Sequence, residues 1–254
     1  MLNRNPFSLE GKNILITGAS SGIGRSVAVE SSFSGANVFI CGRNVDKLED
    51  TFDKLHHGPN QNHKKLIFDL NDEEILINVL IEVDKIDGVV LAAGNDLILP
   101  FKFTNNLNLK NILDDNLIGN VSLLQNLTRA NKISPNSSIV FFSSVNGTLI
   151  GSKGHSLYAA AKGAINGIVR SLANELARKK IRVNAVAPGL VETGLFQINQ
   201  NIISKDEIES YRKDYPLGFG SPEDVSYLTI FLLSAASKWI TGQIITIDGG
   251  LTIN

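Results

Sequence analysis

Tyr158 and Lys162 stand four residues apart in Tyr158-Ala159-Ala160-Ala161-Lys162, a run whose alanines favour helix, so both side chains leave one helical face together. A phenol beside a permanent cation can donate and accept a proton: tyrosine ordinarily titrates near pH ~10, and an adjacent ammonium favours its phenolate. The same pair also arises wherever a surface cation covers a half-buried ring. The elements that would position it have to decide between the two.

Those elements alternate. Short apolar runs at Asn13–Thr17, Asn37–Cys41, Lys65–Phe68, Gly88–Ala92, Ser138–Ser143, Arg182–Ala187 and Ile244–Ile247 read as buried strands of a parallel sheet, where both faces are covered and polar alternation is lost. Between them lie helical stretches at Gly24–Ser34, Val45–Leu55, Glu73–Val83, Leu109–Ala130, Tyr158–Lys179 and Pro222–Leu233. This rhythm, with right-handed crossovers, predicts an α/β fold whose ligand crevice lies at the carboxyl ends of the strands. No repeat, low-complexity tract or long linker divides the chain, so one domain over 1–254 is expected.

The first strand runs into Thr17-Gly18-Ala19-Ser20-Ser21-Gly22-Ile23-Gly24 and then a helix. Glycines there permit a tight turn and close backbone approach, and the helix N-terminus offers free N–H groups and a positive dipole end to a pyrophosphate. A glycine-rich turn without a ligand is the plainer reading, but the position between first strand and first helix favours a dinucleotide. About 20 residues on, the second strand ends at Gly42-Arg43-Asn44. A carboxylate at this point would bind a free ribose 2′-hydroxyl, whereas arginine pairs with a 2′-phosphate, so Arg43 points to NADP, with NAD the alternative. Asp69 and Leu70, ending the third strand, are expected to flank the adenine.

Composition narrows the rest. The 24 basic and 25 acidic residues leave a net charge of −1 with no single-sign field, which argues against nucleic acid as a partner. Cys41 is the only cysteine, so an intramolecular disulfide and a cysteine-rich metal site are excluded, and a reducing compartment fits. No run reaches the ~18 apolar residues of a membrane span or the pattern of a signal peptide, so a cytoplasmic protein without a membrane partner is expected.

With Thr17–Gly24 and Tyr158–Lys162 both in hand, the chain resembles the short-chain dehydrogenase/reductase family in its single-domain form of roughly 250 residues. The likeness runs from Lys12 to Gly250 and includes Asp115-Asn116-Leu117, Ser143-Ser144-Val145-Asn146-Gly147, Arg182-Val183-Asn184-Ala185-Val186-Ala187-Pro188-Gly189, Ile240-Thr241-Gly242-Gln243 and Asp248-Gly249-Gly250. The resemblance implies a Rossmann-type, doubly wound, mostly parallel seven-stranded sheet with helices on both faces. It implies that Tyr158 is the general acid/base, that Lys162 depresses the tyrosine pKa and binds the nicotinamide ribose, that Ser144 orients the substrate carbonyl, and that Asn116 holds a relay water. Cofactor contacts would fall on Gly18, Ser20, Ser21, Gly22, Ile23, Gly24, Arg43, Asp69, Leu70, Ala93, Gly94, Tyr158, Lys162, Pro188, Gly189, Val191 and Thr193, with no metal. Asn184 would brace structure. Of the adjacent serines, Ser144 is preferred because it immediately precedes the Val-x-Gly turn.

Departures matter too. The family's Asn-Asn-Ala-Gly reads Leu91-Ala92-Ala93-Gly94 here, so the bracing those amides give must come from elsewhere. Ser21 stands where many NADP-using relatives carry a basic residue, and Arg25 is a substitute or a solvent-facing side chain. The region 195–215 is expected to be a substrate lid, with Phe196, Tyr211 and Tyr215 lining a pocket or packing the lid down. Leu149, Ile150 and His155 are expected to border the site, and His56, His57 and His63 to be solvated in a Gly/Pro/Asn loop.

Many relatives with this pattern are 3-oxoacyl-acyl-carrier-protein reductases. Arg178, Lys179 and Lys180 would serve an acidic acyl carrier protein, although Ile133-Ser134-Pro135-Asn136 lacks a basic residue often found there. The alternatives are a reductase or dehydrogenase of a sugar or another small secondary alcohol, and a nucleotide-binding regulator without turnover. Retention of Ser144, Tyr158, Lys162 and Asn116 weighs against the last. The resemblance further implies a homotetramer built through the helices Leu109–Ala130 and Tyr158–Lys179 and the C-terminal strand region.

Overall fold

Leu15 and Val89 face one side of the sheet while Ile14, Ile16 and Val90 face the other, and both sides are sealed, which is why the strands read as unbroken apolar runs. The structure is a computed structural model describing residues 5–72, 74, 83–194 and 205–253. Its elements run β1 (Asn13–Thr17), α1 (Gly22–Phe33), β2 (Asn37–Gly42), α2 (Val45–Phe52), β3 (Lys64–Ile67), β4 (Ile86–Leu91), α3 (Asn106–Leu113), α4 (Gly119–Arg129), β5 (Ile133–Phe142), α5 (Ser156–Leu176), β6 (Arg182–Pro188), α6 (Lys205–Arg212), α7 (Pro222–Leu233) and β7 (Ile244–Ile247). The strands form one parallel sheet of seven in the order β3-β2-β1-β4-β5-β6-β7.

Strand order reverses between β1 and β4, whose last residues, Thr17 and Leu91, are paired in register. That switch point opens a crevice at the carboxyl ends of the strands. One face packs Leu123, Leu127, Ile165 and Val169 of α4 and α5 against the sheet, and the other packs Val27, Ala28, Val225 and Leu233 of α1 and α7. Helix α7 starts where its sequence says it should: Ser221 and Asp224 form a reciprocal capping box and Pro222 opens the first turn.

Two expectations need revision, and a third falls outside the described residues. The helix read over Leu109–Ala130 is α3 and α4 separated by a π-helical turn, Asp114–Ile118, which carries Asn116 inward. Strand β5 starts at Ile133 rather than Ser138, with its pairing to β4 shifted beyond Ile86 where Pro135 has no N–H and Asn136 takes φ 64°. The helix expected over Glu73–Val83 falls, but for Glu74 and Val83, outside the described residues.

His63 is not solvated. It is buried, its Nδ1 accepts from Val38 N–H at 3.0 Å, and its Nε2 lies 2.9 Å from the His56 carbonyl. A neutral ring satisfies both contacts, and burial lowers its pKa below 6.5. Below pH ~6.5 the unfolded chain takes up a proton that the folded ring resists, so this contribution to stability is complete above that pH and drains away as the pH falls toward the lower folded value. Thermal denaturation between pH 5 and 7.5 is therefore expected to show a loss on acidification that His63→Gln reduces. Identical pH slopes in the two proteins would contradict this.

Candidate active site

The loop from β1 to α1 makes one end of the site. Ser21 caps α1 in extended conformation but its side chain makes no capping bond, and the first turn carries no acidic residue, so the dipole end of the helix meets no charge of its own. A Cβ on Gly24 would strike the Gly18 carbonyl, with the Gly18 carbonyl carbon at 2.7 Å, so glycine is required for the helix to start this close to the strand. These features suit a pyrophosphate. The cleft of about 320 Å³ is lined by Gly18, Ser20, Ser21, Gly22, Ile23 and Gly24, then by Arg43, Asp69 and Leu70, and by Ala93, Gly94 and Thr193. Arg43 is exposed and lies 3.3 Å from Asp69, so a 2′-phosphate would share it with that carboxylate. Arg25 is no substitute: it donates to Thr51 Oγ1, the Ser20 carbonyl and the Lys47 carbonyl, tying the loop to α2.

A second cavity of about 720 Å³ adjoins the first, sharing Ile23, Ala92, Gly94, Asn95 and Thr193. It is lined by Ser144, Tyr158, Lys162 and Asn116, and by Pro188, Gly189 and Val191 at the end of β6. The two serines separate cleanly. Ser143 Oγ donates to the Lys162 carbonyl at 3.0 Å, whereas Ser144 Oγ accepts from Asn146 N–H at 3.2 Å and hydrogen-bonds the Tyr158 hydroxyl.

Lys162 is 6% exposed, its Nζ donates to the Phe142 carbonyl at 3.0 Å, and burial lowers its pKa to about 8. Asn116 is buried in the π-helical turn, donating to the carbonyls of Asn95 and Ile112 while its Oδ1 has no protein partner. A Cβ on Gly94 would strike that oxygen and stand 3.4 Å from Lys162 Nζ, so the missing side chain keeps a passage open between the two. A buried polar atom without a partner normally meets a water or ligand.

One expectation fails. Lys162 does not depress the Tyr158 pKa: burial raises it, the Asp96 carboxylate raises it further, and the Ser144 hydrogen bond pulls the other way. The ammonium lies 5.5 Å from the ring centre and spends a hydrogen bond on the Phe142 carbonyl.

The bracing absent from Leu91-Ala92-Ala93-Gly94 comes from Thr17 and Asn120. Ala93 N–H donates to Thr17 Oγ1 at 3.1 Å, Thr17 Oγ1 donates to Asn120 Oδ1 at 2.9 Å, and Asn120 Nδ2 donates to the Ala93 carbonyl at 2.8 Å. Asn184 braces as expected, donating to the Ile240 carbonyl and accepting from Gln243 N–H.

In the described part of 195–215, residues 205–215, Tyr211 and Tyr215 both pack and line the cavity. Their rings lie 5.5 Å apart, Phe219 sits 5.1 Å from Tyr215, and all three face the cavity. Phe196 lies outside the described residues. Leu149 and Ile150 are not among the lining residues, but Ser152, Lys153 and His155 are. Sequence reasoning missed Asn95, Asp96 and Phe219. Asp96 could have been found as a carboxylate two residues past Gly94 at a strand's carboxyl end.

Similarity to known proteins is consistent over the whole chain. The family model for enoyl-(acyl carrier protein) reductase matches residues 18–252. A tropinone reductase homolog of Arabidopsis thaliana is 36% identical over 98% of this chain and 95% of its own length. A 3-oxoacyl-[acyl-carrier-protein] reductase of Aquifex aeolicus is 32% identical over 96% and 99%. Among solved structures, a provisionally assigned 2-deoxy-D-gluconate 3-dehydrogenase of Agrobacterium tumefaciens with bound NADP superposes with a TM-score of 0.86 at 28% identity, covering 99% of this chain and 100% of that one.

Proposed function

The chain belongs to the short-chain dehydrogenase/reductase family and is an NAD(P)-dependent oxidoreductase acting on CH–OH groups, and from that premise we propose that it reduces a ketone with NADPH, with two substrate classes in view, a 3-oxoacyl thioester and a small hydroxylated ketone. The observation that carries the reaction class is the meeting of Ser144, Tyr158, Lys162 and Asn116 in a cavity continuous with the glycine-loop cleft. A bound nicotinamide supplies the hydride. Ser144 and Tyr158 both donate to the carbonyl oxygen, stabilising the negative charge that develops there, and Tyr158 passes its proton to it. Lys162 and the free Oδ1 of Asn116 flank a route by which a water resupplies that proton.

The acyl thioester reading is supported by the full-length relatives of that name at 31–34% identity. In that reading an acyl carrier protein is the partner. A second reading, a sugar-like or other small hydroxylated ketone, is favoured by the carboxylate Asp96 in the cavity wall. Turnover of NADPH at 340 nm over 3-oxoacyl thioesters, keto sugars and simple ketones decides between them, and no oxidation with any ketone would overturn the reaction class.

NADPH over NADH rests on Arg43. Arg43→Ala is expected to weaken NADPH binding about 10-fold, the low end for a charge-assisted contact at an exposed site, and to leave NADH binding little changed. Fluorescence titration with both cofactors checks this, and equal losses would remove the argument for a 2′-phosphate. The working protein is proposed to be one cytoplasmic domain over 1–254, assembled as a homotetramer. Exposed apolar side chains on and before α3 (Phe101, Phe103, Leu107) and near the C-terminus (Trp239, Ile253) support assembly. Among the described residues no helix is long and apolar enough to cross a membrane.

A further inference from the structure

Asp96 enters the cavity wall just beyond Gly94, and two neighbours hold it. Its Oδ1 accepts from Leu97 N–H at 2.7 Å, and its Oδ2 lies 3.4 Å from His155 Nε2. The Asp96 and His155 side chains are 19% and 17% exposed, so the pair is mostly enclosed. The other ring nitrogen of His155 lies 3.3 Å from the Lys153 carbonyl, and the ring stands edge-on to Tyr158 at 6.1 Å. His155 is thereby turned toward the carboxylate and the loop backbone.

An ionised carboxylate offers about four lone-pair sites and no donor. Leu97 and His155 occupy two, and Asp96 faces the cavity with acceptor capacity to spare. A substrate placed against Tyr158 therefore meets an acceptor that rewards a hydrogen-bond donor. The charged groups around that acceptor settle which donor. Lys162 and Lys153 line the same cavity, and His155 adds a third cation when protonated. A cationic donor would be repelled by them, whereas a hydroxyl group would not. Leu190, Tyr211, Tyr215 and Phe219 add apolar surface to the same cavity, suited to a carbon framework.

We propose that Asp96, positioned by His155, is a specificity residue that binds a hydroxyl group beside the reacting carbonyl, so that the substrate class is a hydroxylated, sugar-like ketone or its alcohol. This rests on the reading of the Tyr158 site as ketone-reducing, and it selects the second of the two substrate classes above.

The test compares 2-hydroxycyclohexanone with cyclohexanone, using NADPH and the wild-type chain, Asp96→Ala and Asp96→Asn. A hydrogen bond to a charged group is worth roughly 10–100-fold. Wild type is expected to favour the hydroxylated ketone in kcat/KM by at least about 10-fold. Asp96→Ala is expected to bring the ratio toward one, with Asp96→Asn, which keeps an acceptor oxygen, in between. An independent readout is the His155 imidazole resonance in protein carrying ¹³C-labelled histidine. Cyclohexane-1,2-diol should shift it in wild type and not in Asp96→Ala, while cyclohexanol should shift it in neither.

A wild-type ratio near one, or a ratio unchanged in Asp96→Ala, would overturn the proposal while leaving ketone reduction intact. If neither ketone is turned over, the reaction class is judged by the wider ketone panel and the diol titration alone decides the proposal: a diol-specific shift lost in Asp96→Ala supports hydroxyl recognition, and its absence overturns it.

Discussion

Tyr158→Phe is expected to lose about 10²–10⁴-fold in kcat for ketone reduction, the usual worth of a positioned proton donor. The substitution keeps the ring and removes the hydroxyl that Ser144 hydrogen-bonds. Folding and NADPH affinity are expected to persist, because the ring packs edge-on to His155 and none of the α1 loop contacts involves it. The direction of the tyrosine pKa shift adds a second signature. Burial and Asp96 hold the phenol protonated well above its ordinary range, so this group alone leaves reduction nearly level between pH 6 and 9. It also leaves little phenolate to act as the base for the reverse oxidation. Turnover, NADPH titration and thermal denaturation of the variant check all three, and near-normal turnover would remove Tyr158 from the mechanism.

Much of this was legible in the chain because it depends on local rules. The seven apolar runs, the glycine loop before α1, the helical stretch from Pro222 and the Tyr158–Lys162 spacing each follow from period or backbone freedom over a few residues. What could not be read depends on contacts between distant segments. Asp96 acts on Tyr158 only because β4 ends and α5 begins at the carboxyl ends of the strands. Thr17 and Asn120 replace two missing amides across a sequence gap of more than 100 residues. The π-helical turn that turns Asn116 inward has no simple periodic signal, and Gly119, which follows it at the start of α4, is fixed by Leu70, whose Cβ would lie 2.7 Å from an added methyl. His63 shows the same limit in reverse: a loop composition that suggests solvent conceals a ring sealed by β2.

The Tyr158 result also depends on which cation stands beneath it, and Lys162 illustrates a site maintained against stability. Its pKa falls from an ordinary 10.5 to about 8, with burial the leading cause and the Asp96 carboxylate opposing it. A shift of that size means the charged form costs roughly 3 kcal/mol at neutral pH. Lys162→Met keeps the volume and removes the charge, while leaving the Phe142 carbonyl without its donor, which costs about 1–3 kcal/mol. The variant is therefore expected to melt at or above the wild-type temperature at pH 7, although it loses at least about 10²-fold in kcat with Tyr158 still in place.

The sign of the pH dependence distinguishes this from a repacking effect. Between pH 8 and 10.5 the folded lysine is neutral while the unfolded chain still holds the proton, so wild-type stability rises with pH across that window. The variant has no such group, and its advantage should shrink as the pH climbs toward 10. Paired melts at pH 7 and pH 10, beside NADPH oxidation at pH 7, provide the test. A variant that is both less stable and inactive at pH 7 would make Lys162 a structural residue whose loss of activity follows from damage to the fold. A variant that is stable and inactive places the ammonium in the chemistry, where its burial is sustained because proton transfer at Tyr158 requires it.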